Sequence, residues 1–172
     1  MRAAILVTTR PGRGHDVVQA VRERPEVVRC YATHGPFQAV VDAHPPDHQG
    51  LLDVLAAING VESQVASETL LDMGLDTLDQ IGPTPEEGAA QHALVLLTED
   101  KEEGCKLVHT LHAAALESHE SVHDAYPVLG RFDTVAWLQT SSRAELEAGI
   151  RALEALEGVA GSLPLLSRQE AP

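Results

Sequence analysis

Two short turns carry the residue types best suited to hold a small molecule. One is Gly35-Pro36-Phe37-Gln38 and the other is Gly130-Arg131-Phe132-Asp133. A glycine has no Cβ, so backbone N–H groups beside it can approach a ligand carboxylate closely. An aspartate next to it can receive a ligand ammonium. Gly35, Phe37, Gln38, Gly130, Arg131, Phe132 and Asp133 are therefore the candidate binding residues. The same pattern also reads as a tight turn between hairpin strands, with the phenylalanine packed into the core. Gln38 stands where the other turn has Asp133, so the two positions are not expected to be alike.

Nine histidines are many for 172 residues. His109 and His112 lie three apart on an expected helix and could share a metal. His119 and His123 follow, with Glu117, Glu120 and Asp124 nearby. These four histidines are weak metal candidates only. They straddle a helix end and a loop, without a His-Glu-x-x-His spacing or a cysteine knuckle, and His112 reads as a core histidine on an apolar stripe. His34 precedes the first turn and reads either as a surface histidine or as a pH-sensitive contact. No nucleophile elbow, P-loop or dinucleotide fingerprint is present. Gly12-Arg13-Gly14 opens a helix and could meet an anion there. Cys30 and Cys105 are isolated and read as ordinary reduced thiols. No cofactor and no catalytic residue is assigned.

The elements that must position the turns repeat. Residues 3–9 are apolar on both faces, as a central strand buried from both sides requires. A helix over 15–24 presents Val17, Val18 and Val21 and stops at Pro25. A β-rich run over 26–33 leads through the first turn into an apolar run, Phe37 to Ala43. Asp47 is the expected N-cap of a helix over 48–58 with the stripe Leu51, Leu52, Leu55 and Ile58. Asn59-Gly60 is expected to close it in a left-handed cap, and a strand returns over 61–71. Residues 92–168 give the same order: an apolar run from Ala93, a helix over 100–117, the second turn, an apolar run and a helix over 142–157. Ser142 and Glu145 have capping-box spacing. Inside-facing polar candidates on the strands are Thr8, Gln38, Thr134 and Gln139.

The expected fold class is α+β: a ferredoxin-like βαββαβ unit repeated twice. The expected boundaries are 1–71 for the first repeat, 72–91 for a linker, 92–168 for the second repeat and 169–172 for a tail. One such unit leaves a sheet face bare, and a bare apolar face must be covered. Sheet against sheet, as an intramolecular dimeric α/β barrel, is the simplest expectation. The linker is long enough to permit pairing within a chain or exchange between chains.

Composition narrows the partners. Hydrophobic residues make up 44% and aromatics 3%, so Val, Leu, Ile and Ala must build the core. The net charge of −14 argues against direct nucleic-acid binding and against an anionic membrane surface. No run reaches the roughly 18 apolar residues of a membrane span. Met1 leads straight into a strand-like run, so no signal peptide is expected and the chain reads as cytoplasmic.

Val27 to Gln38, the apolar run after it, Ile58-Asn59-Gly60-Val61 and Glu68-Thr69-Leu70 together resemble the effector-binding (RAM) domain of the Lrp/AsnC family. Asn59-Gly60-Val61 stands for that family's Pro-Gly-Val, and Gln38 replaces its Asp, which the second copy keeps at Asp133. The second copy departs after Gly158-Val159, without a clear Thr-Thr pair. The resemblance implies a ferredoxin-like fold that assembles further into homo-oligomers. It also implies small effectors, amino acids among them, bound near the Gly-aromatic-Asp turn. The helix-turn-helix of the family's full-length regulators is not seen, so the resemblance implies a stand-alone regulatory sensor or a partner-binding module, not a DNA binder by itself. The competing expectation is a dimeric α/β-barrel enzyme, monooxygenase-like or handling haem or a metal. A plain assembly module is the third.

Overall fold

The computed structural model describes residues 1–74, 91–100 and 121–168. The chain divides into two compact units, Met1–Asp72 and Met73–Pro172. No helix among the described residues is long and apolar enough to cross a membrane.

The first unit contains β1 (Ala3–Thr9), α1 (Gly14–Val21), β2 (Val27–Ala32), β3 (Ala39–Ala43), α2 (His48–Asn59) and β4 (Gln64–Asp72). Its strands lie in the order β2-β3-β1-β4, with every neighbour antiparallel. The two-phase apolar run places β1 between β3 and β4. Ile5 pairs across with Val41 on one side and Thr69 on the other. Ile5, Val7 and Val41 meet Val17 and Val21 of α1 and Val54 and Ile58 of α2 in one core. Leu6, Val40 and Leu70 are fully buried as well. They belong to the face opposite that core, because alternate residues of a strand point to opposite sides.

Capping sets where α2 begins. Asp47 is its N-cap, and the Asp47 carboxylate accepts the Gly50 N–H at 2.9 Å. Two boundaries and one buried face differ from expectation. α1 ends at Val21, and residues 22–24 fall into turns closed by Arg22 N–H to Val18 O and Arg24 N–H to Val21 O. The cause is Pro25, which bars its predecessor from the helical region. Leu52 is 55% exposed, and Val54 takes its place in the core. At about 100° per residue, position 52 lies a quarter-turn from Leu51 while 54 and 58 stay on its face. Gly60 keeps a helical φ of −74°, and its N–H bonds Ala56 O at 3.0 Å. The chain leaves α2 through turns at Val61 and Gln64 instead of a left-handed cap, which delays β4 to residue 64.

The second unit contains β5 (Gln91–Glu99), β6 (Val122–Leu129), β7 (Thr134–Thr140), α3 (Arg143–Glu154) and β8 (Val159–Leu166). Its strands lie in the order β6-β7-β5-β8, again antiparallel. α3 opens with the expected capping box: Ser142 Oγ accepts the Glu145 N–H, and the Glu145 carboxylate accepts the Ser142 N–H. Leu146, Ile150 and Leu153 pack on Val95, Leu97, Ala136 and Leu138. β4 runs on to Asp72 and β5 starts at Gln91, so both ends of the expected linker belong to strands. Most of that linker, the expected helix over 100–117 with Cys105, and the tail lie outside the described residues.

One close approach joins α1 to the first candidate turn. A Cβ on Gly14 would overlap the carbonyl oxygen of Gln38. Backbone cannot swing aside as a flexible side chain can, so any larger residue must push α1 off the turn. Gly14→Ala is expected to cost about 1–3 kcal/mol, in the range of overpacked cores. Ser142→Ala is expected to cost about 1 kcal/mol through the lost cap. Urea unfolding midpoints measure both, and a Gly14→Ala midpoint equal to that of the parent protein would refute the tight seat.

Candidate functional site

The first turn is fastened at several points. Thr33 N–H donates to Gln38 O at 2.9 Å, and Thr33 Oγ1 donates to Phe37 O at 2.9 Å. Gln38 N–H donates to Val7 O at 2.8 Å, which carries the β1–β3 ladder into the turn. Phe37 is 7% exposed, so its ring lies inside the fold. Gly35 has a φ of +119°, a conformation that side chains resist. His34, Gly35 and Pro36 remain exposed. The Gln38 carboxamide works at both ends: Oε1 accepts the Thr9 N–H at 2.9 Å, and Nε2 donates to Gly35 O at 2.8 Å.

The second turn uses the same bonds with different chemistry. Val128 N–H donates to Asp133 O at 2.9 Å, and Asp133 N–H donates to Leu97 O at 2.9 Å. Asp133 Oδ2 accepts the Glu99 N–H at 2.9 Å. Gly130 has a φ of +155°, and Phe132 is 8% exposed. The Arg131 guanidinium stacks 4.8 Å from the centroid of the Phe132 ring, a cation–π contact. Burial, joined by the negative charge of Asp133, pushes the Glu99 carboxyl above its ordinary range. Gln38 and Asp133 thus share one structural task, closing the end of the central strand, β1 in the first unit and β5 in the second. They differ in charge: the first turn is neutral and self-closed, while the second presents an exposed carboxylate and an exposed guanidinium.

Of the four candidate histidines only His123 falls within the described residues. His109, His112 and His119 lie outside them. His123 is 6% exposed within β6, where the pairing with β7 shifts register between Val122 and Asp124. It sits in a sheet and not in the expected loop, because the strand begins at Val122. Among the described residues no group of three or more His, Cys, Asp or Glu is placed to hold a metal ion. Of the inside-facing polar candidates, Thr134 is fully buried, and its Oγ1 has no hydrogen-bond partner among the described residues. Thr8 and Gln139 are half-buried.

Sequence reasoning missed a charged cluster. Asp42 on β3 is fully buried. Arg29 Nε lies 3.0 Å from its carboxylate, Arg2 Nη2 lies 3.4 Å away and His44 Nε2 lies 3.3 Å away. Burial by itself would raise the Asp42 carboxyl, but the His44 hydrogen bond and the charges of Arg2 and Arg29 outweigh it and hold the group below its ordinary value. The only signal in the sequence was one acid inside the apolar run Val40-Val41-Asp42-Ala43. Register supplies the rest by setting Arg29 and Ala4 opposite Asp42. A second buried polar pair is Trp137 and Tyr126, joined Nε1 to OH at 3.4 Å.

Three substitutions test these contacts. A carboxylate whose folded pKa is depressed stabilises the fold above its unfolded value, about 4, and loses that contribution as pH falls through the folded value. Asp42→Asn is expected to remove that part of the acid sensitivity and to cost on the order of 3–5 kcal/mol at neutral pH, because two largely buried arginines lose their carboxylate. Urea titrations from pH 8 down to pH 3 measure this, and parallel pH profiles for the two proteins would refute it. Gln38→Ala removes two backbone-closing bonds and is expected to cost about 1–3 kcal/mol. Asp133→Asn keeps an acceptor for Glu99 N–H and is expected to stay within about 0.5 kcal/mol of the parent in the same titration.

Comparison with known proteins bears on both units. Curated proteins give no sequence match. The siroheme decarboxylase NirDL has a TM-score of 0.68 at 13% identity, covering 98% of this chain and 71% of that one. A mutant chlorite dismutase from Candidatus Nitrospira defluvii has a TM-score of 0.63 at 12% identity, covering 99% of this chain and 91% of that one. TTHA0845 from Thermus thermophilus is 29% identical over 43% of this chain and 94% of its own, with a TM-score of 0.40. The first two likenesses show a fold: mixed α+β with an antiparallel sheet, of the ferredoxin-like, dimeric α/β-barrel type. Residues 2–74 match the family model of the Lrp/AsnC ligand binding domain.

Proposed function

We propose that this protein is a small-molecule-binding regulatory protein built from two tandem effector-binding copies. The observation that carries the reading is the match of residues 2–74 to an Lrp/AsnC ligand binding domain. The effector is a small polar metabolite, with amino acids the first class to test. The second turn has the chemistry for one: Asp133 for an ammonium, and Arg131 with the Gly130 backbone for a carboxylate. Gln38 lacks that charge and spends its amide on Thr9 and Gly35. The net charge of −14 accords with a sensor that does not contact nucleic acid directly. Self-association into a homo-oligomer completes the reading.

A second reading rests on a separate observation. Two solved structures that share this fold over 98% and 99% of the chain are enzymes, a siroheme decarboxylase and a chlorite dismutase. On that reading the chain is an enzyme of the same barrel type, handling a tetrapyrrole or a metal. His123, buried in β6, is then the first histidine to examine.

Native mass spectrometry of the purified protein, against the mass of the denatured chain, separates the two. Excess mass equal to an amino acid or similar metabolite is the expected result. Excess mass equal to haem, siroheme or a metal ion would replace the sensor with the enzyme. An unliganded protein that binds none of the twenty amino acids by calorimetry would overturn the amino-acid sensor. With a binding amino acid in hand, Asp133→Asn is expected to weaken it about tenfold, the worth of one charge-assisted contact. Equal affinity would remove Asp133 from the ligand.

A further inference from the structure

We draw no further inference here: the strongest candidate, the buried cluster of Arg2, Arg29 and His44 around Asp42 on the sheet of the first unit, carries nothing because its charges answer one another and nothing among the described residues points to a ligand there.

Discussion

A central strand buried on both faces cannot leave its backbone to water, and the rest of each unit follows from that constraint. β1 and β5 are such strands, and each pairs with a neighbour on both sides. The difficult place is the strand end, where one neighbour turns away. There a side chain completes the ladder. Gln38 accepts the N–H of Thr9, and Asp133 accepts the N–H of Glu99. The turn that looked like a ligand rim is therefore also the piece that finishes the sheet. Its phenylalanine is buried and its glycine takes a positive φ for the same reason: the chain must reverse tightly while its side chain reaches back.

The bond that closes the sheet limits what each turn has left to offer. The Gln38 amide is held at both ends and carries no charge to attract an ionic guest. A carboxylate has more acceptor positions than one N–H can fill. α1 is drawn into the same arrangement, since Gly14 lies against the carbonyl of Gln38.

Asp42 shows the opposite use of charge. An ionised carboxylate inside a sheet is costly unless partners surround it. Three basic groups come from the residue before β1, from β2 and from the segment after β3, so the cluster ties separate parts of the chain to one register. A shift of one residue in any pairing would point a charge at the wrong face. The interaction contributes little net energy by the usual accounting, although removing one partner leaves uncompensated buried charge.

Much of the fold was legible in local residues. The two-sided apolar runs, the Asp47 cap, the Ser142–Glu145 box and the breaks at Gly35 and Gly130 are decided within a few residues, by sterics and by hydrogen bonds between neighbours in the chain. Where local reading went astray, the error was also local: Leu52 against Val54, the end of α1, and the exit through Gly60. The candidate turns could be named, but their bonds could not. Gln38 meets Thr9 across 29 positions and Asp133 meets Glu99 across 34. Arg29 meets Asp42 only because β2 and β3 pair in one register with an irregular step. Sequence by itself determined which of these elements form and most of the apolar residues they turn inward, since propensity and periodicity act over a few residues. Tertiary structure alone decided which distant side chains meet, because strand register is settled by the summed packing of the whole sheet and is written in no single segment of it.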